Sequence, residues 1–438
     1  MGILSEGHNI GLRTLRPVVG RTTSVFRVEI LVKLVNVFLI ALRLGLTSFG
    51  GPIAHIGYFR EEYVARRGWL DDRSFSDLVA LCQLLPGPAS SQLGIAIGTL
   101  RAGHAGGFAA WLGFTMPSAI VLIAFAYGVS EVENVAESPW LSGLKLAVVA
   151  VVALAVWSMA GTLWSDRRRI TIGIAATVFM LLVPGALWQV AVIVFGGILG
   201  LLLFRGAGRD SNPEQDGADS SPSASSGPRK LALAVLVGFF VLLVGLPALA
   251  EMTGRDEIDV TENFYRSGSL VFGGGHVVLP LLQSETVEAG YIDNDQFVAG
   301  YGAAQAVPGP LFAFAAFLGT SISNPDDGDG LFAQPWIGGL VALAAIYVPS
   351  FLLVWGVLPF WKHLGQSNRV QGAIAGVNAV VVGLLLSALY SPIWTGSVRN
   401  AEDFGLVIVL FGLLAIWKLP PWSVVVVAAA GGFVLELL

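Results

Sequence analysis

Two arginines stand inside apolar stretches at matching places in the chain. Arg43 lies six residues before Phe49 and Arg266 lies six residues before Phe272, so both pairs share an offset of 223 (266 minus 43, 272 minus 49). A charge inside an apolar span costs about 2.5 to 3.5 kcal/mol, so it normally faces a polar cavity or a partner. Snorkelling to the membrane interface is the alternative. Because a planar guanidinium matches tetrahedral or carboxylate oxygens, the pattern favours an oxyanion ligand.

A Pro-Gly-Pro triplet interrupts an apolar segment twice. Pro86-Gly87-Pro88 and Pro308-Gly309-Pro310 share an offset of 222 (308 minus 86). Each proline removes a backbone donor, which predicts that one half-helix ends near Leu85 and another begins at Pro88. A half-helix that starts inside a membrane presents unpaired amides and about half a positive charge. A kink that only improves packing is the alternative, but two matching copies favour ligand binding.

Other residues near these breaks complete the predicted site. Two serine hydroxyls follow the first triplet, and the glycine runs after Phe49 and Phe272 let a backbone approach an ion or another helix. Close helix packing alone is the alternative for the glycines. The predicted binding residues are Arg43, Phe49, Gly50, Gly51, Gln83, Pro86, Gly87, Pro88, Ser90, Ser91, Arg266, Phe272, Gly273, Gly274, Gln305, Pro308, Gly309 and Pro310.

Five titratable residues are candidates for proton exchange or gating. Glu62 and Glu285 align with each other, but both fall in polar stretches and are predicted to be solvated. Lys145 has no charged counterpart in the other half and is predicted to snorkel. His55 and His276 do not align, and each could titrate near neutral pH, although a single histidine is usually structural.

Composition indicates the class of protein. Of 438 residues, 55% are apolar and 13% are charged, against roughly a quarter charged in soluble domains. About 13 apolar segments recur along the chain, so we predict an all-α polytopic membrane protein. Its 54 glycines and 21 prolines suggest helices that break or pack closely.

Several functional classes are excluded or disfavoured. Without a basic domain the chain is not a nucleic-acid binder, and its single cysteine, Cys82, allows no internal disulfide. Intramembrane protease motifs such as His-Glu-x-x-His do not occur, so we expect neither an enzyme nor a cofactor. No Gly-x-x-x-x-Gly-Lys motif for ATP occurs either, which favours a secondary transporter over an ATP-driven pump.

The chain divides into two similar halves. Residues 1–27 are Arg-rich and predict a cytoplasmic N-terminal tail, and 28–205 form a first repeat. Residues 206–230, rich in Ser, Pro, Gly and Asp, predict a flexible linker. A linking transmembrane helix over 231–250 leads to a second repeat over 251–438.

Loop charge predicts that the two repeats are inverted. The loop 56–74 holds four arginines, whereas its counterpart 281–296 has no Lys or Arg. By the positive-inside bias these loops lie on opposite sides of the membrane. Two crossing patterns stay open. One has thirteen single crossings, and the other has a pair of re-entrant hairpins in each half, which better suits an Arg-rich tail and an Arg-rich 56–74 loop.

In these motifs the sequence resembles the chromate ion transporter family, in its long form with two homologous domains. The resemblance rests on residues 48–52 with His55, on Gln83 to Pro88, on residues 272–276 and on Gln305 to Pro310. It implies a multi-pass inner-membrane protein that exports chromate from the cytoplasm and confers chromate resistance. Sulfate is the implied competitor or exchange partner.

The resemblance leaves some alternatives open. An anion channel, or a carrier for another small oxyanion such as sulfate, would use the same inverted repeats. The expected partners are the oxyanion and the lipid bilayer, with no nucleic acid, and a homodimer is one option for the oligomeric state.

Overall fold

The computed structural model describes residues 19–49, 51–130, 138–204, 229–272, 278–322, 334–360 and 368–437. Within these ranges the chain forms helices and no strand, so the all-α prediction is confirmed. Six helices in the described part of the chain are long and apolar enough to cross a membrane, which makes this a polytopic membrane protein. Gly50, Gly273, Gly274 and His276 lie outside the described residues, as do residues 1–18 of the predicted tail and 206–228 of the predicted linker. Residues 19–27 of the predicted tail form the start of the first helix.

Over residues 19–49, 51–130 and 138–204, seven helices come before the predicted linker. They are α1 (Val19–Thr47), α2 (Gly51–Phe59), α3 (Asp72–Leu84), α4 (Ala89–Ser130), α5 (Pro139–Leu163), α6 (Arg167–Leu182) and α7 (Ala186–Leu203). A π-helical stretch, Arg60–Arg66, continues α2.

Among the described residues, nine helices follow the predicted linker, apart from a single helical turn over Thr395–Ser397. They are α8 (Arg229–Thr253), α9 (Asp256–Leu270), α10 (Val278–Thr286), α11 (Asn294–Ala306), α12 (Phe314–Ile322), α13 (Pro335–Val357), α14 (Asn368–Ala388), α15 (Ala401–Ala415) and α16 (Pro421–Glu436). A 3-10 turn, Leu311–Ala313, precedes α12, and a π-helical stretch, Leu389–Trp394, follows α14.

Helices α3 and α11 begin with the same cap. The Asp71 side chain accepts a hydrogen bond from the Ser74 amide at 2.7 Å, and the Asp293 side chain accepts one from the Gln296 amide at 2.7 Å. The bond from Ser74 holds the pKa of the Asp71 carboxyl below its usual value. Asp71 and Asp293 differ by 222, so the duplication seen in the sequence extends to the local structure.

Helix α4 is too long to be one straight crossing. Its 42 residues would span roughly 63 Å, about twice the hydrocarbon thickness. The helical backbone breaks at Ala102 and Gly103, and Gly98 then packs against the backbone of Gly106. The second half repeats this hairpin, because Gly319 of α12 packs against Gly338 of α13.

Several helices are too short to cross alone. Helices α2 and α10 have 9 residues and α3 and α11 have 13, about 14 to 20 Å of rise against a hydrocarbon core of ~30 Å. These lengths suit the re-entrant alternative. The repeat boundaries and the inversion stay predictions.

Helices of each half of the chain pack against helices of the other half. Helix α5 packs against α15 and α16, and α14 packs against α6 and α7. Glycines allow these contacts: Gly143 lies on the backbone of α16 near Gly432, and Gly200 lies on the backbone of Gly372. Part of the glycine excess therefore serves close packing between the halves.

Candidate anion-binding site

Both Pro-Gly-Pro triplets break their helices. Helix α3 ends at Leu84 and α4 begins at Ala89, while α11 ends at Ala306 and the next turn begins at Leu311. The predicted half-helices are therefore present in both halves. Gly87 has a φ of +116° and Gly309 one of +107°, a backbone conformation that favours glycine over residues with a side chain.

Each break is hydrogen-bonded to the opposite half of the chain. The Gly87 amide donates to the Val271 carbonyl at 2.6 Å, and the Gly309 amide donates to the Ser48 carbonyl at 2.9 Å. Ser48 and Val271 are equivalent (271 minus 48 is 223) and directly follow α1 and α9. Each triplet thus satisfies one of the free carbonyls at the end of the other half's arginine-bearing helix.

A repeated Pro-Ser pair lies against each break. A methyl group added at Gly87 would lie 2.9 Å from Ser350 Oγ, and one at Gly309 would lie 2.9 Å from Ser118 Oγ. These serines belong to the aligned pairs Pro117-Ser118 and Pro349-Ser350. Neither serine is among the predicted binding residues, although their recurrence in both halves was a usable signal.

Unpartnered polar atoms surround the two breaks. Ser48 Oγ, Ser350 Oγ, Gln92 Oε1 and Gln305 Nε2 are buried and have no hydrogen-bond partner among the described residues. Gln92 supports the first break, since its Nε2 donates to the Pro86 carbonyl at 2.5 Å. A buried polar atom without a partner costs about 1 to 3 kcal/mol, so a group of them indicates a place for a polar ligand or water.

The two predicted serines lie in the first turn of α4. Ser90 and Ser91 are buried, with Ser90 Oγ 3.3 Å from His55 Nδ1 and Ser91 Oγ 3.4 Å from the Tyr347 hydroxyl. The His55 ring also packs edge-on against Phe114. His55 therefore orients the Ser90 hydroxyl from α2, and Tyr347 of α13 orients the Ser91 hydroxyl from the opposite half.

The duplicated arginines pair with the duplicated glutamates. Arg43 Nη1 lies 3.8 Å from Glu62 Oε2, and Arg266 Nη2 lies 2.6 Å from Glu285 Oε2. Glu62 is 4% exposed and Glu285 is 6% exposed, so the prediction that they are solvated is wrong. The chain reverses after α1 and α9, which brings each glutamate back beside the arginine 19 positions earlier (62 minus 43, 285 minus 266).

Burial of these carboxylates requires a positive partner, because an uncompensated buried charge is strongly unfavourable. Glu62 has two further cationic partners: Arg67 Nε lies 2.7 Å from its Oε1, and Arg66 Nη1 lies 3.6 Å from its Oε2. The identical separation of opposite charges in both halves was the sequence signal for these pairs.

Lys145 joins the two halves of the chain. Its Nζ lies 2.6 Å from Asp295 Oδ1, and the lysine side chain is 4% exposed. The prediction that Lys145 snorkels is wrong, because α5 packs against α11 and places the ammonium beside the first turn of that helix. The equivalent position in the second half is Ile374, so this ion pair has no symmetric counterpart.

Four predicted binding residues remain to be placed: Phe49, Gly51, Gln83 and Phe272. Phe49 is half-buried and contacts Trp422, Phe272 packs on the core, and Gly51 begins α2 with a φ of +76°. Gln83 is exposed, and no contact brings it to the unpartnered atoms in the part of the chain that is described.

A family model described as Chromate transporter matches residues 35–201 and again residues 258–433. The chain belongs to the chromate transporter family. Both breaks, both arginines and both buried glutamates lie inside the matched ranges, and the predicted linker lies between them. Membership of a transporter family confirms that the chain is not an enzyme.

Curated relatives of this chromate transporter family member cover nearly all of its length. It is 24% identical over 407 residues to a probable chromate transport protein of Synechococcus elongatus, covering 90% of this chain and 93% of that one. It is 27% identical over 402 residues to a chromate transport protein of Pseudomonas aeruginosa, covering 89% of each. An uncharacterized transporter of Methanocaldococcus jannaschii is 25% identical over 361 residues, covering 80% of this chain and 82% of that one. No solved structure matches the chain.

Proposed function

We propose that this protein is a secondary transporter that exports chromate from the cytoplasm across the inner membrane and so confers chromate resistance. Relatives that cover about nine tenths of the chain are named as chromate transport proteins. The structural observation that carries the proposal is the reciprocal bonding of Gly87 to Val271 and of Gly309 to Ser48. It brings the broken helices of both halves to one another, which is where secondary transporters built from repeats bind their substrates.

The chemistry around the breaks suits a tetrahedral dianion. The backbone amides in the first turn of α4 have no carbonyl acceptors from a preceding helical turn, and a partial positive charge lies at that end of the helix. Ser350 Oγ and Gln305 Nε2 are unpartnered donors beside the breaks. Neutral donors and helix ends bind an anion without holding it as tightly as a free guanidinium would, which allows its release.

Arg43 acts at the approach to this site. Arg43, Arg66 and Arg67 lie around Glu61 and Glu62, three guanidiniums against two carboxylates, which leaves one positive charge in excess. The Arg43 side chain is 61% exposed. An excess of positive charge raises the local concentration of a dianion. A membrane potential that is negative inside then favours its exit by about 2.3 kcal/mol per charge per 100 mV.

Sulfate is the expected competitor, since chromate and sulfate are both tetrahedral dianions and present similar faces to these donors. A second candidate function is an anion channel or a carrier for sulfate, because the same donors would bind either ion.

Counterflow in proteoliposomes tests the proposal. Vesicles containing the purified full-length protein are loaded with chromate, sulfate or molybdate, and uptake of labelled chromate or sulfate is followed. A carrier shows uptake that is stimulated by the internal anion, whereas a channel shows none. Stimulation by sulfate but not by chromate would overturn the chromate assignment, and absence of any anion flux would overturn transport at this site.

A further inference from the structure

The ion-pair cluster of the second half contains one carboxylate too many. Arg266 donates to Glu285 from Nε at 3.2 Å and from Nη2 at 2.6 Å, and its Nη1 lies 2.9 Å from Glu262 Oε1. Asn263 Oδ1 accepts a further bond from Nη2 at 2.8 Å. Glu262 is 3% exposed and Glu285 is 6% exposed. One guanidinium therefore faces two buried carboxylates.

The first half has the opposite charge balance at the equivalent place. Its buried carboxylate, Glu62, contacts three guanidiniums. The position equivalent to Glu262 is Leu39 (262 minus 223), so the second acidic residue belongs to the second half alone. Both halves have the Arg–Glu pair, and the second half alone has a further acidic residue beside it.

We propose that the Glu262–Arg266–Glu285 cluster binds one proton and exchanges it with solution during the transport cycle. Two carboxylates in one buried site cannot both stay ionised beside a single positive charge, because the second negative charge is uncompensated. A proton taken from water by one carboxylate oxygen makes the cluster neutral. No other group needs to change its charge for this step.

The groups that face the cluster strengthen the case for a proton. On α9 itself, Asp256, Glu257 and Asp259 lie in the first turn and Arg255 is the N-cap residue, so this end of the helix has a net negative charge. Asp259 Oδ2 accepts a hydrogen bond from the Tyr291 hydroxyl at 2.8 Å. Glu288 follows α10. The helices packed against α9 are α8, α10 and α13.

Those helices bring little compensating charge. The sequence of α13 contains no charged residue, and α8 carries Arg229, Lys230 and Glu251 only near its ends. Helix α10 also packs against α7, which has no charged residue, and against α14, whose Arg369 lies in its first turn. The basic residues on these helices are confined to helix ends, whereas Asp259 on α9 and Glu288 after α10 add negative charge, which favours a bound proton.

The cluster is placed to act on the anion site. Arg266 lies five residues before Val271, whose carbonyl accepts the Gly87 amide. Five residues of helix rise about 7.5 Å. A change in the charge of the carboxylates that pair with Arg266 therefore acts on the same helix end that is hydrogen-bonded to the first break. Coupling of this proton to anion movement rests on the proposed function, but binding of the proton does not.

The decisive experiment measures the proton directly. Infrared spectra of the purified full-length protein, recorded over a pH series in H2O and D2O, report the carbonyl stretch of a protonated carboxyl. We expect wild type to show such a band with an isotope shift, and Glu262→Leu and Glu285→Gln each to lose it. Both variants leave Arg266 with one carboxylate, so each remains charge-balanced. Glu251→Gln, an exposed change at the end of α8, serves as control.

A second measurement separates this proposal from the proposed function. In proteoliposomes an inward proton gradient should stimulate chromate efflux in wild type and in Glu251→Gln, with the stimulation lost in Glu262→Leu. A carboxyl band that survives in both cluster variants, or stimulation that persists in them, would overturn the proposal. A protein that shows the band but moves no oxyanion would leave the proton site standing and overturn the transport function.

Discussion

The main-chain amide of Gly309 donates a hydrogen bond to the carbonyl oxygen of Ser48 at 2.9 Å, which fixes the second helix break to the end of the first helix. The reciprocal bond from Gly87 to Val271 makes the arrangement two-fold. The carbonyls at the ends of α1 and α9 and the breaks before α4 and α12 therefore form one unit. A change at either glycine disturbs both halves together.

Gly87→Ala and Gly309→Ala should each abolish transport. At their positive φ values a side chain costs on the order of 1 to 3 kcal/mol, and the added methyl groups would press on Ser350 and Ser118. Efflux rate and thermal unfolding of the purified variants are the measurements. Gly57→Ala is the matched control, because nothing lies within 4 Å of a methyl group there. Full efflux by either site variant would show that the breaks are not needed.

The two arginines should respond differently to replacement by alanine. Arg266→Ala leaves Glu262 and Glu285 without a cation, at a cost of about 3 to 5 kcal/mol for a broken buried pair. Arg43→Ala leaves Glu62 with Arg66 and Arg67, so its stability should change little. Both variants should lose export. Chromate resistance at equal membrane abundance, together with thermal unfolding, checks both effects.

A rescue variant makes the arginine prediction sharper. The triple change Arg266→Leu with Glu262→Leu and Glu285→Gln removes every charge of the cluster and should recover stability without recovering export. Full resistance in Arg43→Ala would contradict a role for its guanidinium in attracting the anion, and full resistance in Arg266→Ala would show that export does not need the pairing of Arg266 with Glu262 and Glu285.

The Lys145–Asp295 pair should show unequal single-variant effects. The lysine side chain is 4% exposed and that of Asp295 is 32% exposed. Asp295→Asn strands a buried ammonium and should cost roughly 3 to 5 kcal/mol, whereas Lys145→Met leaves a carboxylate that water can reach and should cost less. The double variant should recover most of the loss. Thermal unfolding of the three proteins measures this, and equal single effects would contradict the burial difference.

The sequence predicts the helix breaks well and the charge pairs poorly, for a physical reason. Proline acts on its own turn, so the end of α3 at Leu84 and the start of α4 at Ala89 follow from local chemistry. The pairing of Arg43 with Glu62 depends on the chain reversing near residue 50, and hydropathy does not specify the direction in which a helix leaves a turn.

Contacts between the two halves could not be predicted from local sequence. The Lys145–Asp295 pair depends on α5 packing against a helix of the other half, some 150 residues away in sequence (295 minus 145). Local pattern carries no information on such packing. The duplication itself holds the missing clue, because Arg–Glu spacings that recur in two repeats indicate a contact that both repeats make.

Inversion of the two repeats is testable by labelling from one side of the membrane. In a Cys82→Ala background, single cysteines replace the exposed residues Arg73 and Glu288, which lie in equivalent loops. By the positive-inside bias, the Arg-rich loop faces the cytoplasm and its acidic counterpart faces the opposite side. A membrane-impermeant maleimide added to intact cells should therefore label Glu288→Cys and not Arg73→Cys. Arg167→Cys, in a second Arg-rich loop of the first half, is the control and should behave as Arg73→Cys does. Labelling of Arg73→Cys and Glu288→Cys from the same side would rule out inversion, and the approach proposed for the dianion past Arg43 would then need the opposite direction.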